Sequence, residues 1–400
     1  MLEPYIATCP LELQEVLSEE LGEKGAVDIE QGFKAVHFKA TTRSIYQMHR
    51  SLRIASRLFK VIKQGSGASL AIITNQASKL KWDQYFKPDS TYLIEGVIGD
   101  RDEKAPSATQ ISKAVRLGLE DYFKYKKLPI PQVDLKQPKI KIIAFIHQKR
   151  LTISIDTSGK AFHKRGYKNT SHPAPVKETL AAAILRLAGY DGSQIVLDPM
   201  CGSGTIIIEA AMMALNKAPL IHRKKGEFAL ENLKGFEYGL WRKCDEKMRE
   251  DALSEPKMPI FAADVDPRYL ADAQENALRA RVEKHIGFKQ LNFLGSKPPC
   301  EEPGLLVTNL PYGARISGKG QTDELDAAKD FYTAFGDNLK RNYAGWKAAV
   351  LVAIDSPYKF IGLRPSRKIP LKNGGIDCRL LIFEMYSGSK KTPKPQKSEN

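Results

Sequence analysis

A short apolar run, 195–197, ends in Asp198-Pro199-Met200-Cys201-Gly202-Ser203-Gly204-Thr205 and is followed by apolar residues at helical spacing. A strand that ends in a carboxylate, turns on two glycines and starts a helix brings a ligand close to backbone, because glycine has no Cβ to hold it off. The loop has neither the third glycine of a dinucleotide fingerprint nor the lysine of a phosphate loop. Asp198 would repel a phosphate, whereas it can accept a hydrogen bond from an ammonium. S-adenosylmethionine carries an ammonium, a sulfonium, a ribose and an adenine, and no phosphate. It suits the loop, with Asp198, Cys201, Gly202, Gly204 and Thr205 expected around it. A plain strand-to-helix turn is the alternative.

Two further segments add chemistry to the same kind of edge. In Phe261-Ala262-Ala263-Asp264-Val265-Asp266-Pro267 a carboxylate stands at the end of the next strand. Asp264 there is expected to accept both ribose hydroxyls. Asp266 is second choice, since it also reads as the cap of the helix after Pro267. The run 305–308 then leads into Asn309-Leu310-Pro311-Tyr312. The Asn309 side-chain oxygen and a carbonyl of the proline loop, that of Leu310, can accept hydrogen bonds from an exocyclic amine, and Tyr312 offers a ring for an extruded base. An Asn-x-Pro turn with no ligand is the alternative.

Other candidates carry less. Cys201 as a nucleophile would need a base nearby, and none is identifiable, so it reads as packing. His163 and His172 suit RNA contact or solvent better than metal. Arg315 reads equally as a phosphate contact or a solvated arginine, as does the Lys124, Lys126, Lys127 cluster.

The elements that must position these residues alternate strand and helix from 177 to 387. Strand runs fall at 195–197, 260–263, 305–308, 348–354 and 380–386, and helices at 178–187, 205–215, 269–279 and 326–342. This order predicts a parallel, doubly wound α/β sheet with ligands at its C-terminal edge. Asn373-Gly374 marks a tight turn before the last strand. Ahead of it, residues 1–60 read as β-α-β-β-α, with helices near 13–21 and 44–59, which suits a ferredoxin-like unit. Residues 61–158 read as a second α+β unit, with strands at 92–98, 140–146 and 151–155 and a helix at 109–125 whose Ile111, Val115 and Leu119 share a face. Residues 159–176 read as a basic linker, and 388–400 as a disordered tail.

Length and charge agree with this division. Four hundred residues call for more than one domain. No apolar run is long enough for a membrane helix. The five cysteines are scattered with no C-x-x-C pair, which disfavours zinc, iron–sulfur and disulfide frameworks and suits a reducing cytoplasm. The net charge is +16, and the first 170 residues hold 28 Lys and Arg against 18 Asp and Glu. That surplus points to a polyanion, with nucleic acid ahead of a membrane surface.

The loop at 198–205, the Asp264 segment and Asn309-Leu310-Pro311-Tyr312 resemble class I methyltransferases acting on exocyclic amines of nucleobases. With 156–167 and 173–181, and a front portion that resembles a ferredoxin-like subdomain plus a THUMP domain, the chain is similar to the bacterial RlmL-type family over nearly its whole length to about 387. The resemblance implies a Rossmann-like methyltransferase domain at 177–387, a ferredoxin-like subdomain at 1–60 and an RNA-binding THUMP domain at 61–158. It implies methyl transfer from S-adenosylmethionine to guanine N2 of 23S ribosomal RNA in the cytoplasm, on naked RNA or a large-subunit precursor, with no metal. Leu310 stands where that family usually has a proline, and Asn292 where an adenine-contacting acid often follows the third strand. Adenine-N6 methylation of RNA or DNA is the alternative enzyme. A non-catalytic RNA-binding assembly factor is the alternative of another class.

Overall fold

The computed structural model describes residues 1–99, 106–168, 176–311 and 321–386, with side chains from 325 onward in the last of these stretches. The chain divides into two compact units. One comprises Met1–Thr170, Lys177–Leu187 and Met212–Glu255, and the other Ser171–Val176, Ala188–Ala211 and Pro256–Asn400.

The first unit is built on one eight-stranded sheet. Strand β1 (Glu3–Thr8) leads through α1 (Gln14–Glu23) to the hairpin β2 (Val27–Gly32) and β3 (Ala35–Ala40), then to α2 (Thr42–Ser51) and the long β4 (Arg57–Ser66). Helix α3 (Leu70–Ser78), β5 (Thr91–Ile98), α4 (Ala108–Tyr125), the short β6 (Gln132–Val133), β7 (Ile140–His147), β8 (Arg150–Asp156) and α5 (Glu178–Leu187) follow. The strand order is β2-β3-β1-β4-β8-β7-β5-β6. β4 joins the two halves, pairing with β1 through residues 57–60 and with β8 through 59–66. Ile111, Val115 and Leu119 of α4 are buried against Ile142, Ala144, Leu151 and Ile153, as the helical spacing requires.

The helix expected over 44–59 ends at Ser51; residues 52–56 are irregular, and 57–59 already belong to β4. Leu52 turns to an extended conformation. The Glu20 carboxylate then accepts the Arg53 and Ile54 amides, which a continuing helix would have paired internally. Residues 159–168, expected as linker, are packed: Phe162 and Tyr167 are buried, and the Arg165 guanidinium donates to the carbonyls of Phe162 and Arg53. His172, the rest of that basic segment from 169 and the tail from 388 lie outside the described residues.

The second unit holds the strand-and-helix alternation. β9 (Val196–Asp198) leads into α6 (Thr205–Ala214), at whose end the chain rejoins the first unit for Met212–Glu255, including α7 (Tyr238–Glu250). It returns as β10 (Ile260–Asp264), α8 (Pro267–Arg279), β11 (Gly287–Gln290), β12 (Leu305–Asn309), α9 (Gln321–Asn342), β13 (Lys347–Ala353), β14 (Arg367–Asn373) and β15 (Ile376–Glu384). The sheet runs β11-β10-β9-β12-β13-β15-β14. Five strands pair in parallel, but β15 is antiparallel to both β13 and β14, so the expected all-parallel sheet ends in an antiparallel hairpin in which β15 is the reversed strand. The hairpin turns at Gly374, whose φ of 64° suits glycine. The architecture is Rossmann-like α/β, behind ferredoxin-like and THUMP-type α+β elements.

Candidate functional site: the edge of the second sheet

β10, β9 and β12 are neighbours in the sheet and run parallel, so Asp264, Asp198 and Asn309 sit at the same ends of three adjacent strands. Asp198 is 1% exposed and accepts the Met200 amide at 3.3 Å. Burial pushes its carboxyl up to about 7; the neighbouring Thr308 side chain and the Met200 amide pull against that rise, and the Asp264 carboxylate adds to it. A buried acid with so little compensation gains from meeting a cation.

The glycines divide the work. Gly202 has φ 52°, and a Cβ there would find no atom within 4 Å, so the loop leaves open space at that point. Gly204 has φ 78°, and a Cβ would lie 2.9 Å from that of Ala273, so this glycine allows the loop to pack on α8. Thr205 is buried at the first turn of α6. Cys201 donates its amide to the Ala263 carbonyl, and burial pushes its thiol well above the ordinary range, which fits packing rather than nucleophilic work.

Asp264 is already engaged. One carboxylate oxygen accepts the Gly202 amide at 2.9 Å and the other the Asp266 amide at 3.0 Å. It therefore fastens the glycine loop to β10 while keeping lone pairs for a ligand hydroxyl. Asp266 caps α8 by accepting the Arg268 amide at 2.9 Å, and its pairing with the Arg268 side chain holds its carboxyl down at about 2. Asn292 is exposed just past β11, its Oδ1 accepting the Leu294 amide, one residue beyond the Leu291 amide that donates to the Asp264 carbonyl.

At the end of β12, the Asn309 Oδ1 is buried and has no hydrogen-bond partner among the described residues. A buried amide oxygen without a donor is costly, so this oxygen can accept a donor that a ligand brings. Leu310 is fully buried, with its amide on the Leu351 carbonyl. The Pro311 carbonyl accepts the Tyr332 hydroxyl at 3.3 Å, a support from α9 that no local motif announces. Tyr312 and Arg315 lie outside the described residues. Also among the described residues, no group of three His, Cys, Asp or Glu could hold a metal, and no helix is long and apolar enough to cross a membrane.

Residues 165–382 match the family described as RMKL-like, methyltransferase domain. The chain belongs to that family. Residues 67–156 match the THUMP domain and 4–59 the RlmL ferredoxin-like domain. The protein slr0064 of Synechocystis sp. (strain ATCC 27184 / PCC 6803 / Kazusa), named provisionally as an RNA methyltransferase, is 32% identical over 96% of this chain and 97% of its own length. The ribosomal RNA large subunit methyltransferase K/L of Vibrio campbellii (strain ATCC BAA-1116) is 34% identical over 94% of this chain. The chain spans about half the length of such K/L relatives, 52% in that case. SMU.472, a provisional methyltransferase crystallised with SAH, has the same fold, with a TM-score of 0.84 over 97% of this chain and 99% of its own at 24% identity.

Proposed function

We propose that this methyltransferase-family chain transfers a methyl group from S-adenosylmethionine to the N2 amine of a guanine in 23S ribosomal RNA, in the cytoplasm. The observation that carries the reading is the buried Asn309 Oδ1, without a donor among the described residues, on the strand beside those that end in Asp198 and Asp264. The site's chemistry fits the donor. Asp198 answers an ammonium, the open space at Gly202 admits a ligand against backbone, Asp264 retains acceptors for ribose hydroxyls, and Asn292 lies where an adenine would be met. Cys201 and Thr205 shape the loop. The relative crystallised with SAH supports the same class of ligand.

S-adenosylmethionine bound there supplies an electrophilic methyl carbon on a positively charged sulfur. Asn309, with the Leu310 carbonyl, accepts hydrogen bonds from the exocyclic amine and aims its lone pair at that carbon. The same oxygens stabilise the positive charge that builds on nitrogen before its proton leaves. Pro311 stiffens the loop, and Tyr312 takes the face of the extruded base. Orientation of this kind supplies on the order of 7 to 11 kcal/mol. The K/L name of the relatives supports large-subunit ribosomal RNA as the substrate.

The test is to incubate the chain with ribosomal RNA, or with a large-subunit precursor, and a radioactive methyl donor, then identify the labelled nucleoside. N2-methylguanosine is expected. N6-methyladenosine as sole product replaces the base, because the same acceptors suit that amine. No label, together with no S-adenosylmethionine binding by calorimetry, replaces catalysis with an assembly role.

A further inference from the structure

We propose that Phe33, His147 and Phe145 form a base-stacking platform for single-stranded RNA on the first unit. The proposal rests on the reading above only in taking RNA as the partner.

Along β7 the side chains alternate. Ile140, Ile142, Ala144 and Ile146 are buried in the core that α4 closes, so Phe145 and His147 stand on the opposite face. There the two rings lie nearly parallel, with centroids 6.2 Å apart and planes at 17°. Phe33, from the turn between β2 and β3, stacks on His147 at 5.2 Å and 19°. Three rings from two parts of the chain thus form one row. Phe33 at its end is 46% exposed, and the Lys34 ammonium rests 5.2 Å from its centroid.

A single exposed phenylalanine needs no explanation, but an aligned row with an exposed end does. Gly99 makes room for it: a Cβ there would lie 2.7 Å from Phe145 Cζ and 2.9 Å from His147 Nδ1. The two turns that carry the row hold cations. Lys34, Lys149 and Arg150 are exposed in the two turns that carry the row, and none makes an ion pair among the described residues. Rings that stack with any base, beside cations that meet its phosphates, are the two parts of a single-strand site. A base arriving on the outer face of Phe33 displaces the Lys34 ammonium, which then reaches the adjoining phosphate. Duplex RNA keeps its bases stacked inside and cannot use such a row.

The experiment uses the full chain and fluorescence anisotropy with a labelled single-stranded RNA of about a dozen nucleotides, and with its duplex. Phe33→Ala is expected to weaken single-strand binding about tenfold and to leave duplex binding and the salt slope unchanged. Phe33→Trp restores affinity. Lys34→Ala lowers the salt slope of single-strand binding by about 0.7. Phe33 sits in an exposed turn, and an unchanged melting temperature confirms an intact fold. Unchanged single-strand affinity in Phe33→Ala, or equal loss on both RNAs, overturns the platform. A wild-type chain that binds S-adenosylmethionine by calorimetry but neither RNA overturns the RNA reading instead.

Discussion

Two clusters of buried charge differ in how completely they are answered. In the first unit, Arg50 is 5% exposed and its guanidinium meets the Asp245 carboxylate through Nε at 2.7 Å and Nη2 at 2.9 Å. Its Nη1 donates to the Leu220 and Arg223 carbonyls, while its plane lies 4.9 Å from the Phe228 ring and 4.8 Å from Trp241. Arg223 lies over Phe228 and Phe162 and donates to the Lys160 and Ala161 carbonyls. At the sheet edge of the second unit, Asp198 meets no cation among the described residues and Asn309 meets no donor. In the first cluster the Arg223 Nε alone of the two guanidinium groups' nitrogens lacks a partner among the described residues, and the rest of its bonds tie the chain together. The second leaves Asp198 and Asn309 with a cost that the proposed ligands would relieve.

The comparison gives opposite signs for stability and activity. Arg50→Ala strands the Asp245 carboxylate, 18% exposed, and is expected to cost about 3 to 5 kcal/mol in thermal or denaturant unfolding. Donor affinity in the protein that remains folded should be unchanged. Asn309→Ala should do the reverse: turnover falls about 10²- to 10³-fold in a methyl-transfer assay, while calorimetric donor affinity and melting temperature hold. Near wild-type turnover would remove Asn309 from the chemistry.

Asp198 sharpens the contrast through pH. Burial raises its carboxyl to about 7, so the folded protein keeps a proton that the unfolded chain gives up from about pH 4. The stability of the ligand-free protein therefore falls as pH climbs from about 4 to about 7 and levels off beyond. Asp198→Asn should lack that slope and melt higher than wild type at pH 8. Ammonium binding needs the ionised acid, so donor affinity should drop up to tenfold per pH unit below about 7 in the wild type and be weak at every pH in the variant. A wild-type affinity flat from pH 5 to 8 would break the assignment. The smallest effect is expected for Asp266→Ala, which loses a helix cap worth about 1 kcal/mol. Its donor affinity should stay close to wild type, whereas Asp264→Ala should lose both the loop anchor and donor binding.

The edge residues were legible because each is announced locally. Asp198, Asp264 and Asn309 each end an apolar run, and the turn chemistry of glycine or proline follows within a few residues. The Asp264–Gly202 tie and the Tyr332 support of Pro311 were not, since they join residues 62 and 21 positions apart. The same holds for the fold. α4 and its buried stripe follow from 3.6-residue spacing. The first three residues of β4 read as the end of a helix until β1 and β8, the latter a hundred residues away, provide its ladder. β11 and β14 are short or polar at sheet edges, where periodicity is weakest.

The segment Met212–Glu255 leaves the Rossmann-like sequence after α6 and returns at β10, having contributed Arg223, Phe228, Trp241 and Asp245 to the first unit. The two units are therefore interleaved along the chain, and no single cut separates them. A fragment beginning at 177 would carry that segment without Arg50 and His49, the groups its aromatic rings enclose. Recombination, natural or engineered, must therefore move the front unit and the excursion together.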